Sequence, residues 1–308
     1  AGSKQLTKSH SMNILRFLAP PSRLLCALST MALFGCATLV TLQYPTHPQA
    51  IPAVQRLTSN DALLVQEARI EIVALGAGAM PELYRQMPQA SSAAKIRIME
   101  VATKIALPAQ MLGVIYERAV QDSDTVVRQS AAFQAARAPQ LAETLAPIIR
   151  TLLYDRVPDV QAAALTALAG YPQYLTSQEL LAFISDKEVV VAATAASIAL
   201  KRDDPTLSVA ADLALPRLIS QLQHPQPRTR SAVISALGQY GAAPTVPPLI
   251  TVLKKDKVAE IRMKAAIALL RINTPDARLA ALEALKEFSS SDNAALKAVA
   301  DQYLKAKE

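Results

Sequence analysis

Asp122-Ser123-Asp124-Thr125-Val126-Val127-Arg128-Gln129-Ser130-Ala131-Ala132 has counterparts further along the chain. Asp155 is followed by Gln161-Ala162-Ala163-Ala164-Leu165, and Asp256 by Arg262-Met263-Lys264-Ala265-Ala266-Ile267-Ala268-Leu269. The common pattern is a polar residue, a basic or polar residue six positions on, and an Ala-rich apolar run. It returns about every 32 residues from position 60 to the end of the chain. A recurrence of that length is the signature of a stacked helical array, in which each unit is buried by its neighbours. Such arrays present surfaces, so the pattern indicates binding more than reaction.

Aligned on the polar residue, the column reads Asn60, Ser91, Asp122, Asp155, Asp186, His224, Asp256 and Ser291. Six residues on stand Gln66, Arg97, Arg128, Gln161, Ala192, Arg230, Arg262 and Lys297. The first column belongs in a turn, where a side-chain oxygen accepts from free amides at the start of the next helix. That helix buries a stripe such as Val127, Ala131, Ala132 and Ala135, at helical spacing. The second column stands in its first turns and reaches the acidic turn residue of an adjacent unit. A structural ladder of Asp122, Arg128, Asp155, Asp186, Arg230, Asp256 and Arg262 is therefore expected.

A second helix per unit lies between the motifs. Pro81, Pro108, Thr176-Ser177-Gln178-Glu179, Asp204-Pro205, Pro247-Pro248 and Thr274-Pro275 all mark helix starts. Composition agrees: 51% hydrophobic residues against 4% aromatic ones and no Trp suits close-packed helices. The acidic turn residue, the Val127-Arg128 and Ile261-Arg262 starts and the Ala-Ala-x-x-Ala runs resemble the HEAT-repeat family, in the type found in bacterial proteins. The resemblance covers about residues 53–308. It implies an all-α fold, a right-handed alpha-alpha superhelix of about eight helix pairs whose second helices line the concave face. It also implies scaffolding or partner binding and no particular reaction. Ala192 departs from the pattern, as does the 38-residue step from Asp186 to His224, with an insertion around Lys201–Pro205.

The net charge is +7, but Lys4, Lys8, Arg16 and Arg23 stand in the first 36 residues with no acid, leaving +3 for the rest. That balance argues against a phosphate-binding stripe and hence against a nucleic-acid partner. Both cysteines, Cys26 and Cys36, precede the repeats. His10, His47 and His224 are isolated, and no grouping has zinc spacing. Gly76-Ala77-Gly78 lacks the preceding strand and third glycine of a phosphate loop. No nucleophile–base set stands out, so a non-catalytic protein without cofactor or metal is expected. The alternatives are a cytoplasmic nucleic-acid-binding protein of this type and a HEAT-like enzyme of lyase or glycosylase type.

Ala1–Ser11 reads as a tag remnant ahead of Met12. A basic start and an uncharged stretch from Leu24 to Leu42 then have the parts of an export signal or anchor, residues 1–42. Leu33-Phe34-Gly35-Cys36 resembles the lipobox of bacterial lipoproteins, which implies lipidation at Cys36; Phe34 departs from it. An uncleaved anchor is the rival, since 19 residues just suffice to cross a bilayer, and an ordinary cleaved signal is the third version. Residues 43–52 read as a proline-rich linker and 53–308 as the solenoid. The expected protein is an envelope-associated scaffold, anchored in the membrane and facing the periplasm, with a protein partner. Candidate contacts are Tyr171 and Tyr174, aromatic in a ring-poor chain; Lys201 and Arg202 in the insertion; and the cluster Lys254, Lys255 and Lys257.

Overall fold

The computed structural model describes residues 45–105 and 109–305. Residues from Thr46 onward form one compact unit. The export segment, Cys36 and Pro108 lie outside the described residues. Those that are described form α-helices and short 3-10 turns, with no strand among them.

The helices come in pairs. The first helix of each pair is α1 (Ala50–Leu57), α3 (Met80–Gln86), α5 (Ala109–Val120), α7 (Ala142–Ile149), α9 (Ser177–Ile184), α11 (Pro205–Ser220), α13 (Val246–Lys255) or α15 (Pro275–Ser289). The second is α2 (Ala62–Leu75), α4 (Ser92–Ala102), α6 (Thr125–Ala136), α8 (Pro158–Leu168), α10 (Val189–Ala199), α12 (Pro227–Tyr240), α14 (Ala259–Ile272) or α16 (Ala294–Lys305). Second helices pack on second helices in series from α2 to α14, and first helices on first helices, as in α1–α3–α5–α7 and α9–α11. The result is a two-layered α solenoid.

Local chemistry sets the helix starts. Asp61 accepts from Leu63 and Leu64 N–H, Asp124 from Val126 N–H, and Asp204 from Thr206 and Leu207 N–H. Thr176 and Glu179 form a reciprocal capping box at α9. Helix α1 starts at Ala50, inside the stretch read from sequence as linker. Pro52 is tolerated there because a first-turn N–H has no intrahelical partner to lose. The sequence-derived linker therefore ends at Gln49 in the structure. The insertion at Lys201–Pro205 leads into the longest first-layer helix, α11.

Small residues bring the second helices together. Ala131, Ala132, Ala163, Ala164, Ala192, Ala193, Ala195, Ala196, Ala265 and Ala266 are all buried. Helices α12 and α14 approach closely at Gly238. A Cβ on Gly238 would lie 2.6 Å from Ala268 Cβ and 2.8 Å from its Cα, so only glycine fits.

Candidate functional site

The turn between the two helices of a unit is built alike along the stack. Asp122, Asp155, Asp186 and Asp256 each accept through Oδ1 from the N–H two residues on, at 2.8–2.9 Å. His224 Nδ1, Ser291 Oγ and Ser59 Oγ play the same part at 3.1–3.2 Å. In the regular units the second helix begins three residues after this acceptor. That rule corrects the register of the first two units. Since α2 begins at Ala62 and α4 at Ser92, the equivalent positions are Ser59 and Gln89, in place of Asn60 and Ser91. Ser91 is instead the N-cap of α4. The sixth residue after Gln89 is Lys95, so Lys95 takes the ladder position expected of Arg97.

The ladder is strongest where a cation meets the next unit's aspartate. Arg128 donates through Nε and Nη2 to Asp155 Oδ2 and Oδ1 (2.6 and 2.9 Å), and through Nη1 to the carbonyls of Asp122 and Ser123 (2.9 and 3.1 Å). Arg230 repeats the arrangement with Asp256 (2.7 and 2.8 Å) and the carbonyls of His224 and Pro225. Lys95 Nζ reaches Asp122 Oδ2 at 2.6 Å. Burial raises the carboxyl pKa of Asp155 and of Asp256, but the arginine hydrogen bond, a backbone N–H and nearby guanidinium charge outweigh it, so both fall below the ordinary aspartate value.

Elsewhere the ladder is partial. Among the described residues Gln161 and Arg262 donate only to carbonyls of their own turns, Asp155 and Asp256. Asp186 receives no cation on its carboxylate among the described residues. Ala192 has no side chain to cap its turn, and Arg217 from α11 does so instead, donating to the carbonyls of Asp186 and Lys187 at 2.6 and 3.0 Å. Arg97 likewise donates to the carbonyls of Leu57 and Ser59.

The sequence-derived contact candidates separate. Arg202 is half-buried and donates to the carbonyl of Leu175 at 2.6 Å, so it staples the insertion to the preceding unit and is not free for a partner. Lys201 beside it is exposed. Tyr171 and Tyr174 are half-buried; Tyr171 borders a small gap with Ala135, Leu145, Ile149 and Leu168, and the Tyr174 carbonyl accepts from Arg150. The ring pair in this region is Tyr154–Phe183, with centroids 6.1 Å apart. Lys254, Lys255 and Lys257 are exposed, and Lys255 and Lys257 line a groove of about 450 Å3 with His224, Arg230 and Asp256. Among the described residues no cluster of His, Cys, Asp or Glu is placed to hold a metal ion.

The surface that sequence reading missed is the outward face of α2, α4 and α6. The second position of these helices carries Leu63, Ala93 and Val126, and the ninth carries Ile70, Glu100 and Phe133. Leu63 and Ile70 are 68% and 66% exposed, and Val126 and Phe133 53% and 48%. Between them Glu100 accepts from Arg69 Nη2 (2.7 Å) and Gln134 Nε2 (3.2 Å), which fixes the register of all three helices. A polar cleft of about 310 Å3 opens here, lined by Arg69, Glu100, Thr103, Lys104, Gln134 and Arg137 among others. The available sequence signal was a pair of apolar residues seven apart on an otherwise polar arc, present twice.

The family model described as HEAT repeats matches residues 177–270 and 215–305, which spans α9 to α16. No curated protein matches the chain. Among solved structures it is similar to human deoxyhypusine hydroxylase in complex with glycerol, at 18% identity over 73% of this chain and 94% of that one, with a TM-score of 0.36. It is also similar to an engineered protein, at 18% identity over 82% and 77% of the two chains, again with a TM-score of 0.36. Neither likeness bears on function.

Proposed function

We propose that this chain is a non-catalytic scaffold that binds a protein partner, held at the bacterial envelope by its N-terminal segment with the solenoid facing the periplasm. The observation that carries the binding role is the run of exposed apolar side chains on the outward face of α2 and α6. Large apolar groups at matching positions of helices two apart in the stack are costly to leave in water, and such surfaces are characteristic of interaction sites. Support for the envelope comes from the sequence: the one-sided charge before residue 36, the uncharged stretch Leu24–Leu42 and Cys36. Among the described residues no helix is long and apolar enough to cross a membrane.

Two experiments test the two halves. Growth with a radioactive fatty acid should label the wild type and leave Cys36→Ser unlabelled. No label on the wild type removes the lipoprotein version, and label surviving Cys36→Ser removes this site. For binding, a photo-crosslinking residue placed in turn along both layers in cells should give a discrete crosslinked species from some positions. If no position yields one, the scaffold reading fails. A reporter fusion active only in the cytoplasm, together with salt-sensitive retention on DNA, would instead support nucleic-acid binding.

A further inference from the structure

We infer that the outward face of α2, α4 and α6 receives an amphipathic helix whose apolar side is flanked by acidic residues. This rests on the partner-binding reading above and specifies its site and the partner's chemistry.

The face is a grid of three rows. The second positions give Leu63, Ala93 and Val126 and the ninth give Ile70, Glu100 and Phe133; four residues further on stand Ala74, still in α2, and Lys104 and Arg137, in the turns just past the ends of α4 and α6. Positions two and nine are seven residues apart, so those rows are separated by about 10 Å along the helices. Four of their six side chains are large, apolar and exposed, while Ala93 makes a low point between Leu63 and Val126. Next on the stack, α8 offers Asp159 and Thr166 at the second and ninth positions, with Gly170 past its end, so the apolar character stops after α6.

Charge chooses among occupants. Lys104 and Arg137 are exposed at the third row and enter no salt bridge among the described residues. Glu100 stands in the middle of the grid, but Arg69 and Gln134 occupy its two oxygens. With Arg69, Lys104 and Arg137 against Glu100, the cleft carries two net positive charges. Glu67 is also exposed on α2, about two turns short of the cationic row in register, too far along the helix to neutralise it. A second copy of the chain would bring the same cations to this edge, whereas an acidic flank complements them. The width from α2 to α6 is two helix spacings, about 16–20 Å, which about 11–13 helical residues span.

The test uses the full chain and three fluorescent peptides of about 16 residues, read by anisotropy at low ionic strength. One peptide carries Leu at i, i+3, i+4 and i+7 with Glu on the flanks; the second replaces those Glu by Lys; the third keeps Glu and replaces Leu by Ser. The acidic apolar peptide should bind at least tenfold more tightly than either other. Lys104→Glu with Arg137→Glu should reverse the preference between the first two, and Ile70→Ser with Phe133→Ser should weaken the first at least tenfold. Leu213→Ser on α11 should change nothing, and melting curves should show that every variant is folded. Equal affinity for the acidic and basic peptides, no binding of either, or equal loss with Leu213→Ser overturns the inference. So does a self-associated wild type that Ile70→Ser with Phe133→Ser makes monomeric. If the peptides fail while in-cell crosslinks form from another face, this site falls and the scaffold reading stands. If no position crosslinks, the scaffold reading itself falls.

Discussion

Removing Arg128 exposes how the units are fastened. Its side chain is 5% exposed and that of Asp155 is 8% exposed. In Arg128→Ala the aspartate loses both charge-assisted bonds, and the carbonyls of Asp122 and Ser123 lose their donor. Breaking a buried ion pair from one side costs about 3–5 kcal/mol, because the remaining charge stays desolvated and unpaired. For a domain of this size 1 kcal/mol moves the melting temperature by about 2–4 °C, so a drop of about 6–20 °C is expected. Arg228→Ala is the control: its pair with Asp159 is 69% exposed on the arginine side and should contribute under about 1 kcal/mol. Replacing both partners, Arg128→Met with Asp155→Leu, removes the uncompensated charge and should be less damaging than Arg128→Ala. The assay is thermal and denaturant unfolding at neutral pH, with hydrogen exchange to localise the change to the turns before α6 and α8. A loss no larger than that of Arg228→Ala, or a double variant worse than the single, refutes the reasoning.

Three further outcomes follow from the same packing. Gly238→Ala gains about 1 kcal/mol of helix propensity but must push α12 from the backbone of Ala268, an overpacking cost of about 1–3 kcal/mol, so the melting temperature should fall. Acid should destabilise the stack. Arg150 holds the Glu179 carboxyl at about 2, and Asp155 and Asp256 are also depressed, so the unfolded chain binds protons first as pH falls. Their contribution is full above the ordinary carboxylate range and lost as pH falls from about 4.5 toward 2; urea midpoints across that range should fall less steeply in Glu179→Gln. Arg217→Met should loosen the turn before α10, costing about 1–2 kcal/mol for two carbonyls left without a charged donor, with faster exchange at Lys187 and Glu188 as the local readout.

The architecture was legible because it repeats: the Asp122, Asp155, Asp186 and Asp256 turns and their Ala-rich helices state the same unit four times over. What failed was local register. Ser91 looked like a turn acceptor because serine serves equally well as an N-cap, and only the start of α4 at Ser92 distinguishes the two roles. Arg217 could not be paired with Asp186 from sequence, since they come together only when α11 packs beside the α9–α10 turn. The candidate contacts were chosen for rarity, as aromatics or irregularities, and one of them, Arg202, fastens the insertion to the carbonyl of Leu175. The apolar grid escaped notice because Leu63 resembles a core residue until burial shows that Val65 faces inward in its place, and because Val126 and Phe133, left off the buried stripe of α6, form a surface only beside α2.

The most direct test of the account is site-specific photo-crosslinking in cells from Phe133, compared with Leu279 on α15. Leu279 is 61% exposed, more open than Phe133, so exposure alone favours the control. The account predicts a discrete crosslinked partner from Phe133, lost on Lys104→Glu with Arg137→Glu, and none from Leu279. A partner captured equally from both positions, or from neither, contradicts it.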